Sequence, residues 1–266
     1  MSEGWERYWA GRRVDHQAVE RELASDRWKL IKKAVLDRFG SMEGREVIEI
    51  GSGKGTNGLC MALRGAKASV LDINDAALER AKELFAAFHV MPRVIRQNIL
   101  DPLNPALAGS FGVVMSFGLA EHFIGSERAV CLRRHFDLAK PGGIVIISVP
   151  NESSFIVKLD DALLSLARRW KWGWERISRR KSFDWDIEVP FRRDELDAAC
   201  GEMSREFKTY ATNLAEGLNN LLRWFRYPFE AIKLGGLASR LRWRPGSLGR
   251  LDRRWGVSLV FLGEKK

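Results

Sequence analysis

The chain has 266 residues, 45% of them hydrophobic, enough to bury the core of one large α/β domain or of a domain carrying insertions. No apolar run approaches the roughly 18 residues of a membrane-spanning helix. The charged, aromatic start MSEGWERYWAGRR does not read as a signal peptide, and Cys60, Cys131 and Cys200 show neither a disulfide framework nor metal-ligand spacing. The net charge of +10 is localised: residues 168–181 hold seven basic and one acidic side chain, residues 218–254 nine and two, and the remainder is slightly acidic. Two such segments point to an anionic partner or surface, not to a basic fold. A reduced, cytoplasmic protein is expected, with docking at the inner face of the membrane open through those segments.

Trp5, Tyr8 and Trp9 have the spacing of one helical face near the N-terminus. Val47–Ile50 reads as a first strand, followed by the loop GSGKGTNG and a helix beginning at Leu59–Leu63. Ala68–Ile73 is a second strand. Asp75–Phe88 is a helix, with Asp75 as its expected N-cap and Ala77, Leu78, Ala81, Leu84, Phe85 and Phe88 at helical spacing. Arg93–Arg96 and Val113–Phe117 are strands, Ser126–Ala139 a helix, and Ile144–Val149 a fifth strand after a Pro141-Gly142-Gly143 turn. A helix near Arg193–Ala199 and strands Phe207–Ala211 and Val257–Leu262 complete the pattern. The alternation predicts a doubly wound, Rossmann-like α/β fold of seven strands with an antiparallel edge hairpin. Helical insertions then follow strand 5 and separate strands 6 and 7. The expected organisation is an N-terminal helical lid (1–40), a core (41–151), a basic aromatic insertion with a helix (152–200), and edge strands (201–266) holding a second basic insertion (214–254).

The glycine loop admits two readings. Gly53 to Gly58 fits the dinucleotide pattern G-x-G-x-x-G, a weak signal alone. Read from Glu49, the letters give Glu49-x-Gly51-x-Gly53-x-Gly55, the form found in S-adenosylmethionine (SAM) sites. A phosphate-gripping P-loop is excluded, because Gly55 follows Lys54 where Ser or Thr is required. Asp72, ending the second strand, suits two ribose hydroxyls in either reading.

VIEIGSGKG, VLDIN, RQNIL, SFGVVMSFGLAEHF and LAKPGGIVIISVPN stand over residues 45–151 in an order that resembles the class I SAM-dependent methyltransferases, in particular the branch acting on small molecules. The resemblance implies SAM as cofactor and S-adenosylhomocysteine as product. It implies that Glu49, Gly51, Ser52 and Gly53 hold the methionine end and Asp72 the ribose. Ile73 would pack on adenine, Asn98 and Ile99 would address its edge, and Phe117 and Gly118 would lie near the sulfonium. A sulfonium is a cation, for which an aromatic face is favourable. Asn98 stands where the family usually has Asp, and Lys54 places a cation inside the loop.

His122, just beyond the fourth strand, is the expected base for a hydroxyl acceptor or else a loop brace. Glu121 is a second candidate, expected to be solvated or paired. Trp5, Tyr8 and Trp9 are candidates for a lid, and Asn151 for a substrate contact. No metal ligands are expected. In the first insertion, Ile156, Leu159, Leu163, Leu166 and Trp170 form an apolar stripe; in the second, Leu221, Trp224, Phe225, Tyr227 and Phe229 interleave with Arg223 and Arg226. Arginine mixed with aromatics suits an acidic or lipid-linked acceptor or an anionic membrane surface, and less well single-stranded nucleic acid. The expected function is O-methylation of a small acidic, phosphorylated or lipid-linked acceptor, saccharides included. The alternatives are N-methylation of a small amine, RNA methylation, or SAM binding without catalysis.

Overall fold

In the computed structural model, residues 5, 8, 9, 16–159, 162, 188–214, 217, 218 and 256–266 are described. The basic run 168–181 and nearly all of 218–254 lie outside the described residues, and with them the stripe expected on the second insertion and Leu163, Leu166 and Trp170 of the first.

Helices α1 (His16–Ala24) and α2 (Asp26–Phe39) precede the sheet. Ser25 separates them and caps α2, its hydroxyl oxygen accepting from the Trp28 amide at 2.9 Å. The sheet and its crossover helices follow: β1 (Glu46–Ile50), α3 (Thr56–Ala62), β2 (Lys67–Asp72), α4 (Asp75–Ala86), β3 (Arg93–Arg96) and β4 (Phe111–Phe117). A single 3₁₀ turn at Ala120–His122 leads to α5 (Gly125–Leu138) and β5 (Ala139–Pro150). The chain returns as α6 (Arg193–Gly201), β6 (Ser204–Thr212) and β7 (Ser258–Lys265).

The seven strands lie in the order β3-β2-β1-β4-β5-β7-β6. β1 to β5 are parallel, whereas β7 runs antiparallel between β5 and β6. The chain crosses from β3 to β4 past β2 and β1, so the loops after β1 and β4 lie side by side at the switch point of a doubly wound sheet.

Alternation along each strand feeds two cores. Ile48, Ile50, Val114, Val145 and Ile147 face the layer containing Leu132 and Phe136 of α5 and Leu196 of α6. Val47, Val113, Met115, Ile144 and Ile146 face Leu59 of α3, Leu84 and Phe85 of α4, and Trp28, Ile31 and Val35 of α2. The region 1–40 is therefore not uniform in character: α2 is a core layer, with Trp28 fully buried.

Two local expectations are corrected. Asn74, not Asp75, caps α4, its side-chain oxygen accepting from the Ala77 amide at 2.9 Å, which leaves Asp75 free to pair with Arg96. Pro141–Gly143 is not a turn ahead of a separate strand. β5 already pairs at Ala139 with Phe111 and resumes at Ile144 opposite Val113, so these residues bulge within it, with Gly142 at φ 71°.

The described ends of both insertions meet at one place. Asn151 donates its backbone N–H to Val257 O and its amide to Gly256 O, both at 2.9 Å, and forms a β-bridge with Phe191. Ile156 and Leu214 pack beside it with Leu159, Leu218 and Val257.

Candidate functional site

Glu49 is the next-to-last residue of β1, and its odd position turns it towards α3. It is buried, and its carboxylate accepts from Asn57 Nδ2 at 3.0 Å and from the Gly58 amide at 2.7 Å. Burial pushes its pKa up to about 7, opposed by those two donors. Glu49 thus braces α3 from behind and does not line the cavity in front of it.

Asp72 ends β2 and accepts from the Gly53 amide at 2.9 Å and the Asn74 amide at 3.0 Å. It therefore fixes the glycine loop itself, and each oxygen keeps a lone pair for a hydroxyl. Burial raises its pKa, and the backbone donors counter this.

Gly51 and Gly53 adopt φ of 59° and 51°, where a side chain is strained. Their bare faces also admit close neighbours. A Cβ on Gly51 would lie 2.6 Å from the Leu119 side chain, and one on Gly53 would lie 2.6 Å from the Trp9 ring. Trp9 meets Tyr8 edge-on with centroids 4.9 Å apart, Tyr8 meets Trp5 at 5.6 Å, and Trp5 meets His122 at 5.3 Å. The three aromatics therefore form a strap from the glycine loop to the turn after β4.

At that turn two neighbours, Glu121 and His122, differ in their surroundings. Glu121, expected to be solvated or paired, is buried (3% exposed) and lines the central cavity. Its Oε2 has no hydrogen-bond partner among the described residues. Burial pushes its pKa up to about 8, its own backbone amide opposing; Glu188 adds to the rise and Arg128 counters it. His122 lies under Trp5 with its Nδ1 buried and unpartnered among the described residues, and it is not among the residues lining the cavity.

The cavity, about 390 Å³, lies between the carboxyl ends of the strands and the first two helices. It is lined by Glu22 and Arg27, Thr56 and Asn57, Phe117 and Gly118, and Glu121, with Ser148, Pro150 and Ser258 at the far wall. The size is that of a small-molecule site. Ser52 Oγ, Thr56 Oγ1, Asn57 Oδ1 and Glu121 Oε2 are buried without hydrogen-bond partners among the described residues. Buried polar atoms in this state are costly unless a ligand or water meets them.

The adenine-side residues lie outside this cavity. Ile73 is 53% exposed, an apolar surface open to stacking. Asn98 is brought near by the Gln97 amide, which donates to Asp72 O. Its side-chain oxygen accepts from the Leu100 amide at 3.0 Å, and Ile99 is buried. Asn151, expected as a substrate contact, is buried and uses its side chain on Gly256 and Ser153. Sequence reasoning missed Glu22, Arg27, Thr56 and Asn57. The available signal was the oppositely charged pair flanking the Ser25 break.

A model of the family described as a methyltransferase domain matches residues 20–186, more than half of the chain. The chain belongs to that family. This methyltransferase uses SAM, and the orphaned donors and acceptors around a cavity closed on one side by Phe117 fit such a cofactor. Two similar curated proteins are ubiquinone biosynthesis O-methyltransferases. That of Alkalilimnicola ehrlichii is 28% identical over 64% of this chain and 75% of its own length. That of Chromobacterium violaceum is 31% identical over 45% of this chain, and the match spans half of that protein. Among solved structures, a SAM-dependent methyltransferase of Thermotoga maritima superposes with a TM-score of 0.53 at 18% identity, over the full length of both chains. Magnesium protoporphyrin IX methyltransferase of Synechocystis, with bound S-adenosylhomocysteine, gives 0.56 at 12%, covering 99% of this methyltransferase and 93% of the other chain. Both show the shared fold.

Proposed function

We propose that this methyltransferase transfers the methyl group of SAM to a hydroxyl of a small acidic, phosphorylated or lipid-linked acceptor, and that Glu121 is the proton acceptor. The observation that carries the reading is the buried, unpartnered Oε2 of Glu121 in the wall of the cavity that Phe117 and Gly118 also line. The names of the similar proteins from Alkalilimnicola and Chromobacterium support an oxygen acceptor.

When bound, SAM supplies an electrophilic methyl on a sulfonium. Asp72 and the Gly51–Gly53 loop would hold its ribose side, Ile73 and Asn98 its base, and Phe117 would offer an aromatic face to the positive sulfur. Transfer to an oxygen would need that oxygen held in line with the sulfur–carbon bond, so its position is the first requirement. Glu121 takes the hydroxyl proton as the oxygen–carbon bond forms, for which a carboxyl titrating near neutrality is suited. His122, under Trp5, holds the aromatic strap over the reacting groups. In this reading the N-terminal aromatics are the cover, residues 41–151 hold the donor, and the segments after 151 hold the acceptor.

Ile124 and Phe155, 51% and 65% exposed, lie just past β4 and β5 at the carboxyl edge of the sheet. They support an apolar acceptor moiety or a membrane surface, as the basic composition of 168–181 and 218–254 does in the sequence. No described helix is long and apolar enough to cross a membrane.

The test is release of S-adenosylhomocysteine from SAM with purified protein and four acceptor sets: phenols, saccharide hydroxyls, lipid-linked hydroxyls and small amines. Turnover with a hydroxyl set is expected. Turnover with amines alone would overturn the oxygen assignment, and no turnover with any set would favour a binding protein. Co-sedimentation with phosphatidylglycerol vesicles, lost in high salt, is the result expected of membrane docking.

A further inference from the structure

Among the described residues, β6 is the outer strand at one end of the sheet and β3 at the other. An outer strand carries a row of unpaired backbone groups, and like charges, bulges or covering side chains keep it from pairing with another chain. β3 presents Arg93 and Arg96 and no acid of its own, so two copies of it repel. β6 has such guards only at the two ends of its exposed stretch. Arg205 is the extra residue of a bulge between Ser204 and Glu206, and Arg193 donates to Thr209 O at 2.7 Å. Between them Glu206, Phe207 and Lys208 stand exposed. The ion pair at this edge joins Arg205 to Glu264 at 3.6 Å and draws on neither Glu206 nor Lys208.

How that stretch meets a second copy is fixed by symmetry. Two identical strands lying antiparallel in one sheet are related by a twofold axis perpendicular to it. The axis keeps every side chain on its own face, so one residue lies opposite its own copy. Glu206 or Lys208 on the axis sets a charge against itself. With Phe207 there, Glu206 of each chain falls directly opposite Lys208 of the other, on the same face. Phe207 is 40% exposed, and its ring stacks on Phe261 with centroids 5.4 Å apart. On the axis it adds an aromatic pair between the two charge pairs.

We propose that β6 is the contact edge of a homodimer, in which two copies of this chain pair antiparallel about Phe207 and their sheets become one. The charges that would turn away an unrelated strand thus select a second copy, in one register. Because the axis reverses strand direction, the two cavities open at opposite edges of the joined sheet and neither blocks the other. The strands left outermost are the two copies of β3, with their arginines. The paired run is short, bounded by the bulge at Arg205 and by Arg193, so the dimer is weak and reversible.

The experiment is sedimentation velocity of the full chain across roughly 1 to 200 µM, the range in which a small interface associates. The wild type is expected to pass from monomer to dimer. Glu206→Lys alone and Lys208→Glu alone each place like charges opposite one another twice, and each should weaken association by about 10-fold. Mixed in equal amounts, the two single variants regain it, because every facing couple is then of opposite sign. The double exchange regains it as well. Recovery on mixing also shows that both variants are folded. A wild type that stays monomeric throughout overturns the proposal, as does a dimer that the single variants leave intact. Association that neither mixing nor the double exchange restores overturns the register, and species growing beyond the dimer overturn the twofold axis.

Discussion

Replacing Glu121 by Gln tests the proposed chemistry and the physical cost of placing it where it is. The carboxyl titrates near 8, so about 1% of it is ionised at pH 6 and about half at pH 8. If the ionised form takes the acceptor proton, turnover of the wild type rises roughly 50-fold across that interval and levels off above it. Glu121→Gln keeps the shape and removes the base. Its kcat is expected to fall by about 10²–10⁴-fold, and the rise with pH to flatten. The same substitution changes stability in the opposite direction. The folded carboxyl titrates above its ordinary value of 4.5, so the folded chain binds the extra proton. That contribution is complete below pH 4.5 and lost as pH climbs through 8. Above pH 8 an ionised, unpartnered carboxylate is buried at several kcal/mol, about 1.4 for each pH unit between the two values. Glu121→Gln should therefore melt higher than the wild type at pH 9 and nearly the same at pH 5. Stopped assays with the acceptor found active, from pH 6 to 9, and calorimetric melts at the two pH values measure both effects. A variant with wild-type turnover and slope refutes the base, and identical melting differences at pH 5 and 9 refute the buried charge.

Asp72→Ala removes the acceptor of the Gly53 and Asn74 amides together with the expected ribose contact. S-adenosylhomocysteine affinity by calorimetry should fall by about 10²-fold or more, and unchanged affinity would contradict the assigned register. Gly53→Ala places a Cβ against Trp9 at a φ of 51°. It should lower stability to urea by about 1–2 kcal/mol for the backbone alone and release the Trp9 ring, seen as a change in tryptophan emission. Adding Trp9→Ala should recover the steric part only, and a full recovery would show that backbone strain is negligible there. Arg128 donates at 2.8 Å to Phe123 O, Val189 O and Glu195 Oε1, so Arg128→Met should cost about 2–4 kcal/mol. Because Arg128 lowers the Glu121 pKa, the midpoint of the pH–rate curve should also move upward in that variant; a midpoint that stays in place would uncouple the two residues.

The sheet was legible because its signal is local. The central strands are short apolar runs, and the alternation of Val47 with Ile48 or Ile146 with Ile147 already divides two buried faces. The edge hairpin was legible from position, two strands following a five-stranded core. The β5 bulge was not, since Pro141-Gly142-Gly143 carries the same letters whether it turns or bulges, and only the pairing of Ala139 with Phe111 decides. In the site, the glycine loop and Asp72 could be located from spacing. What could not be read was which of two adjacent residues points inward. Glu121 and His122 occupy one 3₁₀ turn, where each residue rotates the direction by about a third of a circle, and burial reverses the ordinary expectation that an acid is solvated. Glu22 and Arg27 show in the sequence only as opposite charges around Ser25: that they wall the cavity depends on how α1 and α2 dock, a tertiary fact with no spacing rule.

The knot at Asn151 has a consequence for how this protein can vary. Residues 191, 256 and 257 each meet Asn151 by a hydrogen bond or a β-bridge, so the intervening stretches begin and finish at a common doorway beside the sheet. Loop closure depends weakly on length, and material between those points can be lengthened, shortened or exchanged as cassettes while the parallel strands and the donor crevice stay undisturbed. A graft that keeps Asn151 and its carbonyl partners would be expected to retain folding and donor affinity while changing which acceptors are taken.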